Sequence, residues 1–131
     1  MVDIGLKRIV NHSYAETLSR LTEALKTEGF GILTEVDIKD TLKKKIDVDF
    51  RRYKILGACN PQLAHRALSA DPDLGVMLPC NVAVYEQTPE STVVIAVDPL
   101  QTVAATRGPE LSALVEEVRA KLGRALDKLA L

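Results

Sequence analysis

The segment Ser91-Thr92-Val93-Val94-Ile95-Ala96-Val97 constrains this chain more than any other. Val93, Ile95 and Val97 fall on one side of an extended strand, and Val94 and Ala96 on the other. A strand apolar on both sides is covered on both, by helices or by another subunit. The stretch before it, Cys80 to Gln87, also reads as a strand. Thr88-Pro89-Glu90 between them carries turn chemistry, so the two are expected to form a hairpin.

Around this hairpin, strand and helix signals alternate. Val2, Ile4 and Leu6 alternate with Asp3, Gly5 and Lys7, the period of a half-buried strand. Ser13-Tyr14-Ala15-Glu16 is a capping box, in which the hydroxyl and the carboxylate satisfy free amides of the first helical turn. Tyr14, Leu18, Leu21 and Leu25 follow at helical spacing and Gly29 supplies the stop, giving a helix over about 14–28. Phe30 to Val36 reads as a second strand. Asp37 caps a short helix ending in Lys43, Lys44 and Lys45, with acid at its start and base at its end to complement the helix dipole. A third strand runs from about Phe50 to Ala58, with Tyr53, Ile55, Gly57 and Cys59 on one face and Arg52 and Lys54 on the other. Asn60-Pro61 opens a helix that turns Leu63, Ala64, Ala67 and Leu68 inward, and Asp71-Pro72 ends it. A loop from Asp98 to Gly108 leads to Pro109 and the longest helix, whose apolar stripe runs from Leu111 to Leu129.

The order is strand, helix, strand, strand, helix, strand, strand, helix. Its first six elements match a split β-α-β arrangement of ferredoxin-like type. The expectation is one α+β domain over residues 1–131, in two layers. It has a mixed sheet of about five strands with helices on one face, and the polar faces of the first and third strands meet solvent or a partner.

Composition narrows the function classes. A net charge of −1 gives no overall pull toward nucleic acid or an anionic membrane. The basic runs Lys43-Lys44-Lys45 and Arg51-Arg52 are short. Only Phe50 and Tyr53 flank the arginines, so these runs read as solvated charge and not as a nucleic-acid platform. The N-terminus has no basic leader followed by an apolar stretch, and no apolar run is long enough to span a bilayer. A cytoplasmic location follows as the expectation, and with it reduced thiols.

The two cysteines carry what chemistry there is. They lie in mirrored settings, Cys59-Asn60-Pro61 and Pro79-Cys80-Asn81, each where a strand meets a turn or helix. Cys59 precedes a helix start, where the dipole and free amides lower a thiol pKa. That makes it a reactive thiol or thiolate ligand. The structural alternative is a small apolar residue closing the core on the face of Tyr53 and Ile55. Cys80 shares a face with Val82 and Val84 and reads as core-facing. A disulfide or shared metal needs the two Cα atoms within roughly 7 Å. A crossover between parallel strands would hold the thiols about 25 Å apart. Doubling back of the segment from Pro72 to Pro79 would make them neighbours, and an approach across a dimer interface is a third route.

His65 points outward at helical spacing, His12 lies in a turn, and the four ligands of a closed zinc site are not present, so no metal site is assigned. Glu35, Asp37 and Asp98 stand at element ends, where cap and turn roles suffice for Asp37 and Asp98. No phosphate-binding glycine loop and no nucleophile elbow occurs, and no cofactor is identified.

The stretch Ile55-Leu56-Gly57-Ala58-Cys59-Asn60-Pro61, through Leu78-Pro79-Cys80-Asn81-Val82 to Val97-Asp98-Pro99, resembles the bacterial and archaeal domain-of-unknown-function family three hundred and two. So does Gly29-Phe30-Gly31-Ile32-Leu33-Thr34-Glu35-Val36-Asp37. The resemblance spans nearly the whole chain. It implies a compact α/β domain that is commonly dimeric, and no activity.

Two functions follow. The first is a small binding module, a homodimer by expectation, with a site at Cys59, Asn60, Cys80 and Asn81. That site would hold a small ligand or a soft metal, or act as a redox thiol. The second is a structural or regulatory interaction domain without a small-molecule site, which uses the doubly apolar strand and the last helix for protein contacts.

Overall fold

The computed structural model describes residues 4–101 and 107–130. The elements are β1 (Gly5–Val10), α1 (Tyr14–Thr27), β2 (Gly31–Asp37), α2 (Ile38–Ile46), β3 (Tyr53–Cys59), α3 (Pro61–Ala70), β4 (Cys80–Thr88), β5 (Ser91–Val97) and α4 (Pro109–Asp127). Short 3-10 segments follow α3 (Pro72–Met77), β5 (Pro99–Gln101) and α4 (Lys128–Ala130). The five strands form one sheet in the order β1-β5-β4-β3-β2. The fold is α+β.

Every strand pair is antiparallel. The sheet is therefore not mixed, and the expected split β-α-β arrangement does not form. β5, apolar on both sides, takes the place between β1 and β4, where it has a ladder along each edge. The two outer strands, β1 and β2, point the same way from opposite edges, so α1 crosses the whole sheet between them. α2 buries no residue and forms no layer of its own, which leaves β2 and β3 antiparallel neighbours.

Local chemistry sets the element ends as the sequence implies. The Ser13 hydroxyl accepts from the Glu16 amide at 3.2 Å, and the Asp37 carboxylate from the Asp40 amide at 2.9 Å. Gly29 ends α1 at φ +86°, a left-handed conformation that suits glycine. β1 begins at Gly5, later than the alternation implies. Leu6 and Val10 reach the core while Ile4 stands 85% exposed outside the strand; Val2 and Asp3 lie outside the described residues.

Register decides which face is covered. Leu6 pairs with Ala96, Ala96 with Val82, and Val82 with Leu56, a row that crosses four strands. This row packs under Leu21 and Leu25 of α1 and Leu122 and Leu126 of α4, all fully buried. A second, smaller cluster joins Leu63 of α3 and Leu74 of the first 3-10 segment to Leu111, Leu114 and Val115 of α4.

The face assignment of β3 is the reverse of the one read from its pattern. Leu56 and Ala58 enter the core, at 3% and 0% exposure, whereas Tyr53 and Ile55 lie on the uncovered side with Gly57 and Cys59. The pattern misleads because residues 53–59 are apolar or small at almost every position, so alternation alone carries no sign. Arg52 and Lys54, expected to face away, instead follow Leu56 along the helix-bearing side.

Candidate functional site

β3 and β4 are joined by a long excursion, α3 and its 3-10 segment, that leaves the sheet and returns to the same end. Ala58 therefore pairs with Cys80. Cys59 and Cys80 become diagonal neighbours on adjacent strands, with Cα atoms roughly 6 Å apart by strand spacing and rise. The crossover expectation, which held them far apart, is overturned: an antiparallel return cancels the strand length. Both remain free thiols. Diagonal residues on paired strands point to opposite faces, and Cys80 packs against the core with Ile32 while Cys59 lies in the row of Gly57.

The two cysteines stand at a cavity of about 90 Å³ beneath α3 and α4. Its wall is almost wholly apolar: Phe30 and Ala58 below, Leu63 and Ala67 from α3, Leu114 and Val118 from α4. Met77 and Leu78 close it from the 3-10 side. The cavity lies where the two apolar clusters meet. α3 is ten residues long and offers Leu63 as its one fully buried anchor, so it seats over the sheet without filling the gap.

Burial, and then the nearby Cys59, push the Cys80 thiol up to about 11, so it is a protonated, weakly polar group at neutral pH. Asn60 also borders the cavity, but both ends of its amide are used. Its oxygen accepts from the Leu63 amide at 3.3 Å as the cap of α3, and its nitrogen donates to the Glu28 carbonyl at 3.2 Å. Asn60 thus clasps the end of α1 to the start of α3. A side chain on Gly29 would collide with it, at 2.7 Å from the amide nitrogen. Asn81 is exposed, pairs with Gly57 on the uncovered side, and does not line the cavity. The structure therefore brings three of the four candidates together and leaves the fourth apart.

The other sequence candidates have structural partners. Asp98 is buried at 6% exposure and accepts from the Leu100 amide and from Arg119, each at 3.0 Å. Glu35 pairs with Lys54 at 2.5 Å, and Asp37 caps α2. His65 is exposed, and His12 lies 3.6 Å from Glu16. Among the described residues no group of three or more His, Cys, Asp and Glu gathers as metal ligands, and no helix is long and apolar enough to cross a membrane. Sequence reasoning missed Met77, Leu114 and Val118 as cavity walls. Each reads as ordinary core stripe, and nothing in their spacing marks a void.

The matched family model is "Domain of unknown function DUF302", over residues 6–129. The chain belongs to the DUF302 family. A solved structure, the uncharacterised conserved DUF302 protein of Bacillus stearothermophilus, is similar throughout. It is 32% identical, matches over 98% of this chain and 99% of its own, and superposes with a TM-score of 0.87. No curated protein matches. The DUF302 label describes ancestry and fold and names no reaction.

Proposed function

We propose that this DUF302 domain is a small-molecule binding module whose ligand is an apolar group held in the cavity between the β3–β4 end of the sheet, α3 and α4. The observation that carries this reading is the cavity itself. Apolar cavities of this kind stay dry and accept small apolar guests. At about 90 Å³ it exceeds several-fold the space one water occupies, yet its wall offers a water almost no partners. The Cys80 thiol contributes a weak donor and a polarizable wall atom, not a thiolate. Benzene or indole added to the protein should shift the methyl NMR signals of Leu63, Leu74, Leu114 and Val115 saturably. Ala67→Leu, which fills the cavity, should abolish those shifts. Shifts spread over unrelated surface methyls, or unchanged by Ala67→Leu, would defeat the reading.

A second reading, a protein-contact function, rests on the uncovered side of the sheet. Ile9 and Val36 are 57% and 45% exposed there, beside half-buried Ile55, Ala83 and Ile95. Tyr53 and Tyr85 stack across β3 and β4 at 5.3 Å, with Phe50 against Tyr53 at 6.1 Å. A second copy of the chain is the natural cover. The sheet is continuous over roughly 20 Å by 20 Å, and a two-fold axis would set the same apolar surface on both partners. Ile95→Glu should convert a sedimenting dimer to a monomer with unchanged circular dichroism. A wild-type protein that sediments as a monomer across a wide concentration range would remove this reading and leave the first intact.

A further inference from the structure

The helix-bearing side of the sheet changes character along its length. Near Cys80 it is apolar. At the other end, beneath the start of α1, its residues are Glu35 and Asp37 of β2, Lys54 of β3 with Arg52 just before it, and Glu86 of β4. A cleft of about 400 Å³ opens over this charged end, large enough for a small organic molecule. Ala15 and Leu18 of α1 form an apolar shelf, Tyr53 borders the cleft from β3 with its ring on the other side of the sheet, and Tyr14, Lys39, Arg52, Lys54 and Asp37 supply the polar wall.

The unspent groups in this wall are donors. Tyr14 is 8% exposed, lines the cleft, and its hydroxyl has no hydrogen-bond partner among the described residues. The Arg52 guanidinium makes one loose ion pair, 3.9 Å from Glu86, and donates no hydrogen bond among the described residues. Lys39 spends one N–H on the Phe50 carbonyl at 2.9 Å and keeps two. Two of the three acids, by contrast, are occupied, Glu35 by Lys54 at 2.5 Å and Asp37 by the α2 amide it caps at 2.9 Å, while Glu86 has only its loose pair with Arg52.

We propose that this cleft is a binding site for a small organic carboxylate. The carboxylate is held by the Arg52 fork, the Tyr14 hydroxyl and Lys39, and its apolar body lies on Ala15 and Leu18. A guanidinium matches a carboxylate bidentately. Burial first, then Asp37 and Glu35, hold the phenol proton up to about 12, so Tyr14 stays a donor at every ordinary pH. The same acids disfavour a dianion, which selects a monoanion over phosphate.

Benzoate and hexanoate, titrated into the protein and followed by amide NMR, should shift the signals of Tyr14, Leu18, Lys39 and Arg52 saturably. Benzamide, the neutral isostere, should not, and inorganic phosphate should bind more weakly than benzoate. Arg52→Gln should lower benzoate affinity by roughly tenfold to a hundredfold, and Tyr14→Phe by roughly two- to tenfold. Equal binding of benzamide, tighter binding of phosphate, or an Arg52→Gln protein that is folded and binds benzoate unchanged would each overturn the proposal.

Discussion

Ile55 and Leu56 are neighbours in β3, similar in volume and hydrophobicity, and they meet opposite fates. Leu56 is 3% exposed under α1 and α4, while Ile55 lies half-buried on the side that carries no helix. The difference belongs to neither residue. It comes from which face the two long helices settle on, and it divides the molecule into a helix-covered side holding both clefts and a bare apolar side.

The largest effect tests that division directly. Leu56→Ala should cost about 2–5 kcal/mol in denaturant unfolding, because it opens a void in a packed core. Ile55→Ala should cost less than half of that in dilute protein. A cost for Ile55→Ala that grows with protein concentration would place a second copy on the bare side. Equal costs at every concentration would break the comparison.

The next effect reads the helix-covered side through pH. Burial, and then Cys59, push the Cys80 thiol up from 9.0 to about 11 in the fold. Between these values the unfolded chain releases a proton that the native state retains. Stability is therefore fully present below pH 9 and falls as pH rises toward 11, by up to about 1.4 kcal/mol per pH unit. Tyr14, raised from 10.0 to about 12, continues the fall at higher pH. Cys80→Ala should flatten the urea-midpoint profile between pH 9 and 11. An unchanged profile would mean that Cys80 is better solvated than its packing implies.

A smaller effect runs in the stabilising direction. Thr17, on the covered face of α1, is fully buried, and its hydroxyl finds no partner among the described residues. Thr17→Val keeps the shape and removes the orphan, and should raise stability by about 1 kcal/mol. A lower thermal midpoint would reveal a bond partner, such as an internal water.

The smallest effect concerns the clasp of the helical layer. Arg124 and Lys128 of the C-terminal region hydrogen-bond Glu28 at the end of α1 and hold its carboxyl below the usual 4.5. That contribution is present above pH 4.5 and is lost as pH falls through the lowered value. Glu28→Gln should therefore narrow the gap between midpoints measured at pH 7 and at pH 3.

Much of this architecture was legible in the residues. The Ser13 cap, the cap at Asp37, Asn60-Pro61 and the turn at Pro89 act over a few residues, so their outcome does not depend on the rest of the chain. The hairpin of β4 and β5 and the long helix from Pro109 follow for the same reason. The candidate site was legible in part. Cys59, Asn60 and Cys80 do converge, but the void between them depends on how far α3 stands from α4. The Tyr14 cleft was hidden in a helical stripe, since a tyrosine at the head of an apolar row packs like a leucine until its hydroxyl is followed to its surroundings.

The sequence by itself determined which segments become strands and helices, that β5 is apolar on both sides, and that Asn60 starts a helix behind Cys59. Tertiary structure alone decided the rest. It set β1 beside β5, made every pairing antiparallel, turned Leu56 inward and Ile55 outward, and brought Cys80 back beside Cys59. Caps and turns are settled by bonds within one helical turn. Face and register are settled by competition among distant apolar segments for a shared core, and no single segment contains the outcome.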